Sequence, residues 1–454
     1  MRIFAVACCD ADVAQARIPS QQWRKCGENQ AMLVLKNTLA EEPVRVSPFP
    51  IWPTFDVDEI AAAADVLRSG KVNYWTGDKG RLFEKEFAAS IGVKYAVAVM
   101  NGTVALEAAL MALDIGTGDE VIVTPRSYIA SASCAIMRGA RPVFADVDRD
   151  SQNITAQTIE EVLTHRTRAI IAVHLAGWPC DMDEIMALAK KRDLYVIEDC
   201  AQASGAFYKG RPVGSMGDVA AFSFCQDKIM TSGGEGGMVA TNSKDIWSKV
   251  WSYKDHGKSY DAVHNNIDQK PGPAFKWLHE SFGTNWRMTE IQAAIGRIQL
   301  TKLAGWVKMR RSNAAILTQI FSDIPALRVT TPPEDIYHAC YKHYVFIRPE
   351  MLKDGWTRER IIMAINREGV PCFSGSCSEM YLEKAFDAND LRPQSRLPVA
   401  EELGRTAIMF PVHPTLSEED MYDIAAAVEK VMAEASYDKP NPRQRMSFDE
   451  VCAP

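Results

Sequence analysis

From Asp56 onward the apolar positions of the chain fall into a repeating order of helix-spaced and strand-like stretches. The stretch DVDEIAAAADVLRSGK (56–71) places apolar residues three and four apart, has an acidic first turn and meets Gly70 just past its last apolar position. That spacing predicts a helix. NYWTGDKG follows as a loop and RLFEKEFAASIGV as a second helix. YAVAVM (95–100) is a short apolar strand that runs into Asn101-Gly102-Thr103 and the helical pattern VALEAALMALD. DEVIVTP reads as a strand ahead of a helix opening on RSYIASASCAIMRGA. RPVFADVD, AIIAVHLAG and LYVIED are further strands, with helices at 158–163 and 182–192 between them. Strands alternating with helices at this spacing predict a mostly parallel sheet with helices on both faces.

Beyond residue 250 the regularity lapses. The stretch from Val250 to Met288 is polar and aromatic-rich, and a loop of that length inside a compact domain is usually functional or disordered. A long helical pattern follows, MTEIQAAIGRIQLTKLAGWVKMRRSNAAILTQIF, with a break or bend expected near Gly296 or Gly305. The C-terminal part reads as a small α/β domain: the strand HYVFIRP, the helix TRERIIMAINREG ended by Gly369, and a final amphipathic helix, SEEDMYDIAAAVEKVMAEA. Residues 1–48 have no sustained period and leave through Pro48, Pro50 and Pro53, so they read as a poorly ordered extension. The tail from 438 reads as frayed.

Composition narrows the class. The 454 residues are 47% hydrophobic and 24% charged, enough apolar material for a large α/β domain and a smaller one. A formal net charge of −7 without a Lys/Arg-rich block argues against nucleic acid as a partner. No apolar run is long enough to cross a bilayer, and the N-terminal apolar patch, cut short by Asp10 and Asp12, makes a poor signal peptide. Eleven cysteines, an odd number, fit reduced thiols better than a disulfide framework, so the expected location is the cytoplasm.

The chemistry gathers where strands end. In open α/β sheets the ligand site lies beyond the carboxyl ends of the strands. The strand 219–224 gives way to a lone lysine, Lys228, and then to Gly233, Gly234, Gly236 and Gly237, where backbone is free to approach a ligand closely. Asp199 closes another strand, Tyr128 follows a third, and the Gly102-Thr103 turn opens a helix whose free N–H groups favour an anion. A strand-end carboxylate, an aromatic ring, an anion cradle and an isolated lysine are the parts that hold pyridoxal 5'-phosphate. Each residue also has an ordinary reading: Asp199 as a helix cap, Ser223 as a buried hydroxyl bonded to backbone, Gln202 as a polar turn residue, Lys228 as a surface lysine before a hairpin.

Four motifs decide between these readings by their joint order: NGTVAL, EDCAQASGA, SFCQDKIMTSGGEGG and GTNWRMTEIQAAIG. Together they resemble the DegT/StrS-type family of sugar aminotransferases on the fold type I pyridoxal-phosphate scaffold, from about residue 52 to 431. The resemblance implies an α/β protein: a large domain (49–305) with a mostly parallel seven-stranded sheet sandwiched by helices, and a smaller C-terminal α/β domain (306–437). It implies that Lys228 forms the Schiff base with the cofactor, that Asp199 partners the pyridine nitrogen and that Gln202 contacts the ring hydroxyl. Gly102, Thr103 and Ser223 would bind the phosphate, Tyr128 would stack on the ring, and Asn285 would reach the site of a neighbouring subunit in a homodimer. A lysine rather than a histidine at 228 argues against the family's sugar dehydratase branch. A lyase, or a non-catalytic sensor or scaffold, is the other alternative.

The implied reaction moves an amino group from an amino acid, by resemblance glutamate, to a nucleotide-linked keto-sugar. The implied pathway is amino-sugar supply for a surface polysaccharide, with an amino-sugar antibiotic as the alternative. No metal is implied. The chain departs from the family at 371–381, PCFSGSCSEMY, where many members carry a histidine and aromatic pair against the sugar. Ser376 and Glu379 here, with His338 and Tyr341 ahead of the strand HYVFI, are the candidates for that role. Ser374 and Ser378 lie in the same stretch, which also reads as a plain Ser/Gly turn.

Overall fold

The computed structural model describes residues 42–264, 278–387 and 390–439; the expectations for 1–41 and 440–454 lie outside the described residues. The large sheet and its helices arise in chain order as α1 (Val57–Ser69), α2 (Lys79–Ile91), β1 (Tyr95–Val99), α3 (Gly102–Ala112), β2 (Glu120–Val123), α4 (Ala130–Met137) and β3 (Arg141–Phe144). Next come α5 (Ala156–Glu160), β4 (Thr167–Val173), α6 (Met182–Arg192), β5 (Tyr195–Asp199), β6 (Phe207–Tyr208), β7 (Arg211–Pro212), β8 (Val219–Ser223) and β9 (Gly237–Thr241). The rest is α7 (Lys244–Tyr253), α8 (Tyr260–His264), α9 (Glu290–Ser322), β10 (Leu327–Val329), β11 (Ile336–Tyr337) and β12 (His343–Ile347), then α10 (Arg358–Arg367), α11 (Pro398–Thr406), β13 (Ala407–Phe410) and α12 (Glu418–Ala435).

Seven strands form one sheet in the order β1-β9-β8-β5-β4-β2-β3. β3, β2, β4, β5 and β8 pair in parallel, whereas β9 runs against both its neighbours, β8 and β1. Every strand but β9 therefore points the same way. Side chains alternate between the two faces. On one face Val97, Val99, Val121, Ile171 and Val219 pack with the alanines and leucines of α3 and with α4 and α7. On the other, Ala96, Ala98, Phe222 and Met238 meet Phe83 and Phe87 of α2 and Val307 of α9. Burial on both faces explains why these strands read as short continuous apolar runs.

The mostly parallel, helix-covered sheet matches the expectation. What pattern reading did not show is β9, whose five residues are all buried but directly follow the glycine-rich run. α9 also differs: it runs unbroken for 33 residues through Gly296 and Gly305, so no break separates the large sheet from the C-terminal region. Helix α2 explains this, because a Cβ on Gly296 would lie 2.7 Å from the Phe83 ring, so the glycine serves close helix packing rather than a kink. C-terminal to α9, β10, β12 and β13 form an antiparallel three-stranded sheet, and α12 packs on both α9 and α10. A small third sheet joins β11 to the β6–β7 hairpin.

The segment leading into α1 is held by specific contacts. Glu368 accepts from the Val44 N–H at 3.0 Å, and the Arg45 guanidinium bridges Asp420 and Asp423 on α12. Further on, the Trp52 indole N–H donates to the Lys228 carbonyl at 2.9 Å.

Candidate active site

The geometry of the site begins with two glycines. In the ladder Gly237 sits opposite Val99 of β1 and Ser223 of β8, and so draws together the ends of both strands. A Cβ on Gly237 would come within 2.4 Å of the Asn101 carbonyl oxygen, and one on Gly102 within 2.6 Å of the Ser223 Cβ. The N-terminus of α3 is thus pressed onto the end of β8. Asn101 caps that helix, its side chain accepting the Val104 N–H at 3.0 Å. The first-turn N–H groups at Gly102 and Thr103 have no helical partner of their own, and the Ser223 hydroxyl lies 3.1 Å from where a Cβ on Gly102 would stand. A side chain at 102 or 237 would force these two segments apart, so the glycines hold a helix start, which can receive an anion, against the Ser223 hydroxyl.

One strand away, Asp199 closes β5. Its carboxylate accepts from the Ser131 hydroxyl at 2.8 Å and from the Ala201 N–H at 3.1 Å. Burial raises its pKa above the ordinary carboxylate range despite those two donors. A cation placed against it would supply what burial removes. Glu198, the residue before, points to the other side. It accepts from His174 and from the N–H groups of Gly214, Met216 and Gly217, and so ties the strand to the loop ahead of β8. Burial alone would raise the Glu198 pKa, but His174 and those N–H groups outweigh it and hold it low. Gln202 is buried, its side-chain oxygen accepting the Ala176 N–H at 2.9 Å, while the Ala176 carbonyl accepts from the Tyr341 N–H.

Lys228 follows β8 and keeps 17% of its side chain exposed. Its amine lies 3.5 Å from the Tyr341 hydroxyl and 3.8 Å from the Asp227 carboxylate. Tyr341 in turn donates its hydroxyl proton to Asp227. Burial, with Asp227 opposite, pushes the tyrosine far above its ordinary range, so it stays a donor. Burial also works against the Asp227 anion, but Lys228, the Tyr341 hydroxyl and Lys342 outweigh it and keep that pKa low. The result is a lysine amine held between a phenol and a carboxylate.

The other expected residues are spread around this centre. Tyr128 stands in the turn between β2 and α4 and is 70% exposed. Asn285 pairs with Asp255 in an isolated antiparallel bridge, next to Trp286, whose carbonyl accepts the Met100 N–H. His338 accepts the Cys340 N–H on Nδ1 at 2.7 Å and meets Trp178 edge to face, and burial lowers its pKa to about 3. Ser376 donates its backbone N–H to the Tyr344 hydroxyl at 2.7 Å. The Glu379 carboxylate is engaged by Arg396 and by the Tyr381 hydroxyl, and Ser378 donates to the Ala400 carbonyl at 2.5 Å. Ser131, Asp227, Trp52 and Arg310 join the centre without having been expected. Ser127 and Ser131, four apart around the start of α4 and bonded to each other, were the one local hint.

A family model described as the DegT/DnrJ/EryC1/StrS aminotransferase family matches residues 53–429. The chain belongs to this family. The aminotransferase is 36% identical to the GDP-perosamine synthase of Escherichia coli O157:H7 over 357 residues, 78% of this chain and 91% of that protein. It is 35% identical to the Bacillus subtilis spore coat polysaccharide biosynthesis protein SpsC, covering 84% of this chain and 96% of the other. Among solved structures it is similar to an aminotransferase from Psychrobacter cryohalolentis, at 56% identity and a TM-score of 0.83, covering 85% of this chain and 99% of that one.

The aminotransferase is a pyridoxal-phosphate enzyme of the α/β fold type I class. Its residues fit that cofactor: the glycines at 102 and 237 bring the N-terminus of α3 and the Ser223 hydroxyl together as a site that could take a phosphate, and Asp199 offers a buried carboxylate to a protonated ring nitrogen. The seven cysteines among the described residues are all unpaired. No helix among the described residues is long and apolar enough to cross a membrane.

Proposed function

We propose that the aminotransferase moves an amino group from an amino acid, glutamate in the first instance, to a nucleotide-linked keto-sugar for a polysaccharide, with Lys228 as the reacting amine. The observation that carries this is the position of that amine: in the loop that follows β8, between Tyr341 and Asp227. The names of the relatives support the substrate class, one being a GDP-linked perosamine synthase and another a polysaccharide biosynthesis protein.

Each residue then has a task. Gly102, Thr103 and Ser223 bind the cofactor phosphate through N–H and hydroxyl groups. Asp199, aligned by Ser131, holds a proton on the ring nitrogen, Gln202 meets the ring hydroxyl and Tyr128 covers a ring face. When bound, pyridoxal phosphate supplies the electron sink that lets a proton leave the substrate carbon. The Lys228 amine takes that proton and returns one to the cofactor side, and one base serving both positions suits a two-step exchange. Asp227 and Tyr341 keep the amine aimed between transfers. Asn285 completes the site of a partner in a homodimer working in the cytoplasm. For the sugar, Tyr341 has the strongest case, because its hydroxyl lies 3.5 Å from the Lys228 amine, whereas Arg396 and Tyr381 engage Glu379; His338 and Ser376 are the remaining contacts.

Borohydride reduction of the cofactor-loaded protein followed by peptide mapping tests the assignment, with Lys228 as the expected site of attachment. Glutamate and a panel of keto-sugar nucleotides should then yield 2-oxoglutarate and an amino-sugar nucleotide in equal amounts. Attachment at another residue, or sugar turnover without keto acid release, would rule the proposal out; the second result points to a lyase or dehydratase.

A further inference from the structure

Cations crowd one side of the Lys228 amine. Lys342 lies 4.0 Å from the same Asp227 carboxylate that Lys228 approaches at 3.8 Å, and both amines sit near the Tyr341 ring, at 4.8 and 5.0 Å from its centre. Behind them Arg310, 1% exposed, donates to the Tyr341 carbonyl at 3.2 Å and stands over the Trp52 ring at 5.0 Å, while its Nε and Nη2 have no partner. His413, stacked beside Trp52, adds no further cation: burial, then Arg310 and Lys342, lower its pKa to about 3.

The two lysine amines thus share Asp227, whose carboxylate also accepts the Tyr341 hydroxyl, and the buried Arg310 stands by without a carboxylate partner among the described residues. Arg310 is a buried charge, costly unless an opposite charge arrives, and the two lysines beside it are only partly open to solvent. Lys342 keeps 24% of its side chain exposed, so an arriving group can reach it. A phosphate is already provided for at the start of α3. The anion that comes next to the reacting amine is a carboxylate, since an amino-acid donor carries one on the carbon that loses its proton, whereas the diphosphate of a nucleotide-linked sugar is joined to the sugar's anomeric oxygen and not to the carbon that reacts.

We infer that Lys342, with Arg310 behind it, is the anchor for a substrate carboxylate in this site. The inference rests on Lys228 as the reacting amine. Two substrates would bring this chemistry, an amino-acid donor and a sugar acid. A lysine is suited to either, as a point charge that tolerates several approach directions.

Calorimetric titration of the cofactor-loaded protein tests this with carboxylates that cannot react: glutarate for the donor and glucuronate for a sugar acid. The wild type should bind at least one of them. Lys342→Met should weaken that binding tenfold to about a hundredfold, the value of one lost charge-assisted hydrogen bond. Lys342→Arg should stay within about threefold of the wild type. Lys342→Gln, polar but uncharged, gives the same reading should the methionine variant fail to fold. Dependence of glutarate alone on Lys342 assigns the site to the donor, and of glucuronate alone to an acid sugar. The inference is overturned if the wild type binds neither, or if both affinities are unchanged in the uncharged variants while Lys228 is still the residue trapped by borohydride. Trapping elsewhere would instead remove the reading beneath it.

Discussion

The amine of Lys228 sits next to a hydroxyl whose only evident work is electrostatic. Tyr341 is buried and donates to Asp227, so its removal changes the charge around Lys228 more than the packing. Tyr341→Phe is expected to lower kcat tenfold to about a hundredfold with the cofactor still bound, the scale of a hydrogen bond to a charged group. Steady-state kinetics beside a cofactor titration checks this, and a kcat within twofold of wild type would take the hydroxyl out of the mechanism. A different constraint acts at Gly237. The nearest atom to an added Cβ is a backbone oxygen, which cannot rotate away as a side chain would. Gly237→Ala should therefore weaken cofactor binding at least tenfold and cost about 1–3 kcal/mol of stability from overpacking. Fluorescence titration with pyridoxal phosphate and urea unfolding measure the two effects separately.

Among the elements, α9 carries two glycines that sequence alone treats alike. Both interrupt a helical pattern, and both read as places for a bend. Their surroundings differ. Gly296 lies against the Phe83 ring of α2, whereas nothing lies within 4 Å of a Cβ at Gly305, an exposed position. Gly296→Ala is expected to destabilise by about 1–3 kcal/mol. Gly305→Ala should stabilise by about 0.5–1 kcal/mol, because alanine loses less backbone freedom in a helix. Opposite shifts of the denaturation midpoint would bear this out, and equal shifts would mean that helix propensity, not the α2 contact, governs α9. The helices and most strands were legible because their signal is local: an apolar period, a cap, a glycine stop. β9 was not, since its pattern merges with the glycine run, and only its place between β1 and β8 makes it a strand.

For the molecule as a whole, acid should be the sensitive condition. His343 of β12 is buried without a partner on Nε2, and burial lowers its pKa to about 4, against 6.5 for a free imidazole. Between these values the unfolded chain binds a proton that the fold excludes, so this contribution is full above pH 6.5 and is lost as pH falls towards 4. His343 alone accounts for about 2 kcal/mol of lost stability between pH 7 and pH 5. Urea unfolding at the two pH values should show a loss of at least that size, reduced in His343→Leu. An unchanged pH dependence in the variant would assign the acid response to other groups.

Local pattern determined the helices, most of the sheet strands, and the fact that a carboxylate, a lysine and a helix start all stand at strand ends. Their order along the chain was enough for the family and its cofactor, because covalent neighbours carry that information. The tertiary structure alone decided which of them touch. Tyr341 reaches Asp227 across 114 residues, Trp52 reaches the Lys228 carbonyl across 176, and Ser131 reaches Asp199 across 68. Nothing in the spacing of those residues requires the contacts. They exist because the parallel strands share one edge, and because the segment before α1 and the segment before β12 fold back over it, so partners are chosen by distance through space rather than along the chain.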